Sequence, residues 1–148
     1  MLKEKLIEIG SDKKCPIAVM VREGKILTGQ RNYTKDKWKD ISVWTIPGGR
    51  CDTGETLEQT LRRETAEEVG ITDFKIEDFI GEVSGAKEGD IVPMFFCTTM
   101  QDARLMEPEK FSEWRWITIR EYIEGETYSG FNPAARKMIT DYLSKIID

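Results

Sequence analysis

At 148 residues, 39% hydrophobic and 33% charged, the chain has the size and balance of one soluble globular domain built on a single core. No window approaches the roughly 18 consecutive apolar residues of a membrane helix. The N-terminal MLKEKLIEIGSDKK carries charge throughout and lacks the marks of a signal peptide, so cytoplasmic residence and no membrane partner are expected. Three scattered cysteines (Cys15, Cys51, Cys97) without a CxxC pair argue against a disulfide framework and a structural zinc site. The absence of histidine excludes Ser-His-Asp and Cys-His nucleophilic chemistry, leaving a carboxylate, Lys, Tyr or an activated water as the only possible base. A net charge of −5 and a pI near 5.0 disfavour polymeric nucleic acid as a partner. They also mean that any small anionic substrate needs a cation between itself and the protein.

Residues 1–12 carry no clear assignment. Pro16 to Val21 and Lys25 to Thr28 are β-prone runs joined at Glu23-Gly24, which predicts a hairpin. Arg31 to Asp40 reads as an exposed polar loop, and Ile41 to Ile46 as a strand ended by Pro47-Gly48-Gly49. Thr56 to Val69 is predicted to be a helix: Thr56 caps it, Gln59 completes a capping box, and Gly70 stops it. Phe74 to Ser84 and Ile91 to Met100 follow as strands around a turn-rich 85–90, the second apolar enough to be buried on both faces. Trp114 to Ile119 is a further short strand. A last helix starts with Asn132 as cap and Pro133 in the first turn, and carries one stripe of Ala135, Met138, Ile139, Tyr142, Leu143 and Ile146. The expected fold class is α/β (α+β), a mixed sheet layered with helices.

The chemistry concentrates on the helix from Thr56 to Val69. At 100° per residue, Leu57, Leu61, Thr65 and Val69 share the face that packs on the sheet, while Glu64, Glu67 and Glu68 fall on an adjoining arc of roughly 100°. Like charges at this spacing destabilise an isolated helix. They make sense around a hard divalent cation, for which oxygen donors without His or Cys favour Mg²⁺ or Mn²⁺. Taken alone, the helix is equally consistent with a solvated acidic face. The preceding Pro47-Gly48-Gly49 and Gly54 shift the balance, because they let the backbone turn tightly and approach a ligand closely.

The stretch Gly49-Arg-Cys-Asp-Thr-Gly-Glu55, continuing to Arg63-Glu64-Thr65-Ala66-Glu67-Glu68-Val69-Gly70-Ile71, resembles the Nudix box GX5EX7REUXEEXGU, in which U is a bulky aliphatic residue. Every fixed residue stands at its spacing; the one departure is Thr65, where the pattern has an aliphatic side chain. The resemblance implies the Nudix fold, a mixed sheet sandwiched between helices, and a metal site of Glu64, Glu67, Glu68 and the Gly48 carbonyl. It makes Glu64 the candidate base, while Glu55 and Arg63 hold the loop to the helix. Among Glu107, Glu109 and Glu113, which lie where relatives place an extra acidic ligand, Glu109 is favoured.

Leu27-Thr-Gly-Gln-Arg31, Trp44-Thr-Ile-Pro-Gly-Gly, Glu113-Trp-Arg-Trp and Phe131-Asn132-Pro are similar to the MutT-type branch, which hydrolyses nucleoside triphosphates to monophosphate and pyrophosphate. The likeness puts Arg31 against the nucleotide, Asn132 and more weakly Phe131 against the base, and Trp44 at the pocket mouth. Each has a plain alternative: Asn132 as helix cap, Trp44 as hydrophobic plug, Trp114 and Trp116 as core. The implied substrate is a small nucleotide, with nucleotide-pool sanitising as one use, and the implied protein is a monomer or homodimer. Nucleoside diphosphate-linked compounds (sugar, ADP-ribose or coenzyme A types) are an alternative substrate class. A non-catalytic nucleotide sensor is the reading from outside enzymology.

Overall fold

The structure is a computed structural model, and it describes residues 1–32, 44–125 and 132–146. Ten elements follow in order: α1 Leu2–Leu6, β1 Ile17–Arg22, β2 Lys25–Arg31, β3 Trp44–Thr45, α2 Leu57–Val69, β4 Phe74–Ser84, β5 Ile91–Thr99, β6 Phe111–Thr118, α3 Ile119–Glu124 and α4 Pro133–Ile146. The strands make one six-stranded sheet of order β3-β2-β1-β5-β4, with β6 paired along β2. β1 and β5 run parallel and the other pairs antiparallel, so the sheet is mixed. The hairpin turns at Glu23-Gly24, both with positive φ, the geometry that suits the twist of a two-residue β-turn.

Period-two alternation divides the core into two layers. From β1, Ile17 and Val19 face one side with Val92 and Met94 of β5, where Tyr122 of α3 and Ala135, Ile139 and Leu143 of α4 cover them. Ala18 and Met20 face the other side with Phe95 and Cys97, beneath Leu57, Leu61 and Val69 of α2. β5 is thus buried on both faces, and the sheet lies between helices as its apolar continuity predicts. Pro93 stands in a gap of the parallel pairing on this side, between the Ile91 bridge to Lys14 and the register that starts at Met94.

The helix α2 forms as its sequence dictates. The Thr56 side chain accepts from Gln59 N–H at 3.1 Å, the Gln59 side chain accepts from Thr56 N–H at 2.9 Å, and Gly70 closes the helix in the left-handed region. Its last-turn carbonyls are taken by a segment arriving from β5: Arg104 N–H donates to Val69 O, and the Gln101 side chain donates to Gly70 O.

Several sequence expectations need correction. Residues 2–6 form α1, whose Leu2 and Leu6 pack on the α2 layer. β2 runs on to Arg31, because β6 pairs with it along its whole length and not only over the hairpin. β6 begins at Phe111 and ends at Thr118, where the predicted strand end gives way to α3; a second capping box, Thr118 with Glu121, marks that start. Ile146 of the α4 stripe is 45% exposed, whereas Leu143 one turn earlier is fully buried. Of the strand predicted at 41–46, only 44–46 lie among the described residues.

Candidate active site

The loop between β3 and α2 is anchored by its backbone to the start of β1. Ala18 N–H donates to Pro47 O at 2.8 Å, Gly49 N–H to Pro16 O at 3.2 Å, and Cys51 N–H to Lys14 O at 3.0 Å. The anchoring is so close that a Cβ on Gly48 would run into the backbone of Pro16 and Ile17, and one on Gly49 would overlap the Glu64 carboxylate. Gly48 therefore requires glycine for want of space, and a side chain at position 49 would have to displace the Glu64 carboxylate.

Beneath this loop lies the acidic arc of α2. Glu68 is buried, and its Oε1 accepts from Gly48 N–H at 2.9 Å. Burial raises its pKa to about 8 against the lowering effect of that hydrogen bond, and the neighbouring Glu64 and Glu107 charges push the same way. Glu64 is mostly buried against Gly49 and is also raised, chiefly by burial, with Arg63 opposing. Glu67, the outermost of the three, is 45% exposed.

Arg63 binds loop and helix together. Its Nε and Nη2 form a fork on Glu55 at 2.8 and 2.9 Å, Nη2 also donates to Arg50 O at 3.1 Å, and Nη1 donates to Glu64 and Glu67 at 2.9 Å each. Glu55 further accepts from Asp52 N–H and the Thr60 hydroxyl, both at 2.8 Å. Arg63 above all, with those two donors, holds the Glu55 carboxyl down at about 2.

Among the described residues no three Asp, Glu, His or Cys side chains stand together as a ready ligand group; the Arg63 guanidinium takes up oxygens of Glu64 and Glu67. The donor set nevertheless fits a hard divalent cation. Glu64 and Glu68 are one helical turn apart and both face the Gly48-Gly49 backbone, all their donors are oxygen, and a buried carboxylate raised to about 8 is the kind that a nearby cation relieves.

The remaining predicted residues divide between the two faces of the sheet. Arg31, at the end of β2, brings its positive charge to bear on Glu68 and leaves a buried Nε without a protein partner. Glu107, not Glu109, is the loop acid near Glu68: it is half-buried, its Oε2 meets Lys110 Nζ at 3.3 Å, and its buried Oε1 has no partner. Glu109 is exposed and Glu113 pairs with Arg115. Trp44 is buried in the layer under α4, on the opposite side of the sheet from α2, with the Arg115 guanidinium 5.2 Å from its ring centre. Asn132 caps α4 by accepting from Ala134 and Ala135 N–H, and its Nδ2 donates to Ser84 O at 2.8 Å; the residue is 8% exposed. Phe131 lies outside the described residues. Trp114 lies over Gly29 and against Phe111, while Trp116 stacks under Arg22 and donates to Asp102. Sequence reasoning missed the pairing of Arg50 with Asp90, two residues 40 positions apart that no local spacing could connect.

These features match a known family. The family model described as the NUDIX domain covers residues 14–142, and the chain belongs to that family. An RNA pyrophosphohydrolase from Wolbachia pipientis wMel is 30% identical over 152 aligned positions spanning 88% of each chain. An oxidized purine nucleoside triphosphate hydrolase from Danio rerio is 35% identical over 82 positions, about half of each chain (49% and 48%). Among solved structures, the MutT protein from Methanosarcina mazei Go1 shares the fold at a TM-score of 0.71 and 21% identity, covering 91% of this chain and 95% of that one. Described residues include no helix long and apolar enough to cross a membrane.

Proposed function

We propose that this Nudix protein is a Mg²⁺-dependent pyrophosphohydrolase, with Mn²⁺ able to substitute, that cleaves a nucleoside triphosphate to the monophosphate and pyrophosphate. The observation that carries the reading is the buried Glu68 carboxylate, bonded to Gly48 N–H beside Glu64 and raised to about 8. Such an arrangement is costly unless a cation offsets it.

In this reading Glu64, Glu67, Glu68 and the Gly48 carbonyl hold the metal, and Glu107 supplies a further carboxylate from the loop before β6. When bound, the metal neutralises phosphate charge, makes water more acidic and stabilises the departing phosphate. Arg63 fixes Glu64 and Glu67 by hydrogen bonds and ties them through Glu55 and Arg50 O to the loop. Glu64, shielded under Gly49, is oriented to accept the proton of the attacking water. Arg31 offers a cation to the polyphosphate at the end of β2. Asn132 and Trp44 have structural roles as helix cap and core packing, and this reading assigns neither of them a contact with substrate.

A second reading, action on RNA, is favoured by the name of the Wolbachia relative, whose match runs over most of both chains. Incubation with Mg²⁺ and a panel of normal, oxidised and methylated nucleoside triphosphates, 5′-triphosphorylated RNA oligomers and nucleoside diphosphate-linked compounds separates the alternatives. Pyrophosphate from free triphosphates supports the first reading; turnover of RNA alone replaces it with the second. Glu67→Gln should sharply lower turnover. Unchanged turnover in that variant would remove the proposed metal site, and a protein that bound nucleotides without hydrolysing any would be a sensor.

A further inference from the structure

We infer that Asp90 is a positioning residue of this site, acting through Arg50 to hold the glycine loop in register with α2. The inference rests on the reading of that loop as part of the metal and phosphate site.

Arg50 occupies a position that the box leaves free, yet it sits at the centre of the loop's attachments. Its carbonyl accepts from Arg63 Nη2, which joins it to the helix side. Its guanidinium turns the other way, where Nη1 and Nη2 fork onto the two Asp90 oxygens at 2.8 Å each and Nη1 also donates to Asp12 O at 2.8 Å. Asp90 is 2% exposed, far from the usual state of an aspartate. It is satisfied entirely by Arg50 and by Lys87 N–H at 3.1 Å. The turn between β4 and β5 is shaped around it: a Cβ on Gly85 would lie 2.6 Å from that of Asp90.

One residue therefore connects two rigid bodies. On one side stand Arg63 and the acidic arc; on the other stands the β4–β5 turn, with β5 locked in the sheet on both edges. Immediately before Arg50 stand Gly48, whose N–H fixes Glu68, and Gly49, which abuts Glu64 and is also held by its own N–H to Pro16 O. A turn that only needed closing would not demand a buried aspartate held by a partly exposed arginine, since apolar or neutral residues serve as well or better. Fixing the far end of a loop that carries a ligating carbonyl does demand a bidentate, directional contact. Arg63 orients the carboxylates from the helix side, and Asp90 with Arg50 orients the backbone from the sheet side.

The test compares Asp90→Asn, Arg50→Lys and the double variant with the unaltered protein in four measurements. These are kcat and KM with the triphosphate substrate, Mn²⁺ half-saturation by water-proton relaxation without substrate, amide exchange at Gly49 and Cys51, and the thermal midpoint. A positioning role predicts that each single variant lowers kcat and weakens Mn²⁺ binding by about tenfold or more, as is typical when a partner of a metal ligand is removed. KM should change little, exchange at Gly49 and Cys51 should accelerate, and the double variant should be no worse than the poorer single variant. A lower thermal midpoint with kcat, Mn²⁺ binding and amide exchange all unchanged would make the pair a simple turn brace and overturn the inference. Multiplicative losses in the double variant would overturn it as well. Arg50→Lys keeps the charge and loses the fork together with the Nη1 bond to Asp12 O, so it decides the matter if Asp90→Asn does not fold. Should the unaltered protein hydrolyse no triphosphate, the functional reading fails separately, and amide exchange with Mn²⁺ binding still judges the latch.

Discussion

Thr65 is the one place where the chain departs from the Nudix box, and the structure makes the departure costly. The residue is fully buried on the face of α2 that packs on the sheet, and its hydroxyl has no hydrogen-bond partner. A buried hydroxyl left unpaired costs about 1–3 kcal/mol. Thr65→Val keeps the β-branched shape, replaces the hydroxyl by a methyl group and leaves helix propensity nearly unchanged. Part of the gain is lost to imperfect packing of the methyl, so the expected stabilisation is about 1–2 kcal/mol. For a chain of this length that raises the thermal midpoint by about 2–8 °C. Urea unfolding followed by tryptophan fluorescence should show a higher midpoint at an unchanged slope, because the surface exposed on unfolding is the same. Triphosphate turnover should not change, since the Thr65 side chain lies on the sheet-packing face beside the acidic arc and donates to none of its carboxylates. A variant less stable than the parent would refute the reasoning: it would mean that the hydroxyl is bonded in solution, the Leu61 carbonyl one turn back being the nearest acceptor in sequence.

Three other outcomes follow from the site. Gly49→Ala should reduce turnover by about a hundredfold by displacing the Glu64 carboxylate, and a full-length structure of the variant should show Glu64 moved; normal kinetics would mean that Glu64 need not lie there. Glu55 is held at about 2, below its ordinary value of 4.5, so it adds stability at neutral pH that is lost as pH falls from the ordinary value toward 2. Glu55→Gln should flatten that part of an acid-unfolding curve while leaving the region above pH 6 parallel to that of the parent; an unchanged acid limb would refute the Arg63 pairing. Chelation with EDTA should abolish hydrolysis, and excess Mg²⁺ or Mn²⁺ should restore it; turnover that survives chelation would exclude the proposed metal.

What was legible in the sequence was what depends on neighbours along the chain. α2 could be placed to the residue because its cap, box and left-handed stop are all local signals, and the apolar continuity of β5 announced its burial between two layers. The carboxylate arc could be drawn on a wheel because a helix fixes the angle between its own residues. Contacts across the fold were out of reach. Nothing along the chain reveals that β6 pairs the whole of β2, so propensity alone ends that strand at Thr28, three residues before Arg31. Choosing Glu109 over Glu107 was arbitrary without the path of the loop, and the structure turns Glu107 inward. The plain role of Asn132 was legible as a cap, but its second bond to Ser84 joins elements 48 residues apart. The start of α3 was legible and missed: Thr118 and Glu121 repeat the capping pattern already recognised at Thr56.

The backbone groups that close the end of α2 have an electrostatic consequence. Val69 O and Gly70 O are satisfied by the segment 101–106, so the last turn needs no lysine or arginine, and it carries none. Glu67 and Glu68 stand in that last turn, at the negative pole of the helix dipole, where the peptide units add to their charge instead of opposing it. In the proposed reading, a bare polyphosphate would be repelled from those carboxylates and a divalent cation drawn to them, so the metal would arrive before the anion or with it as a chelate.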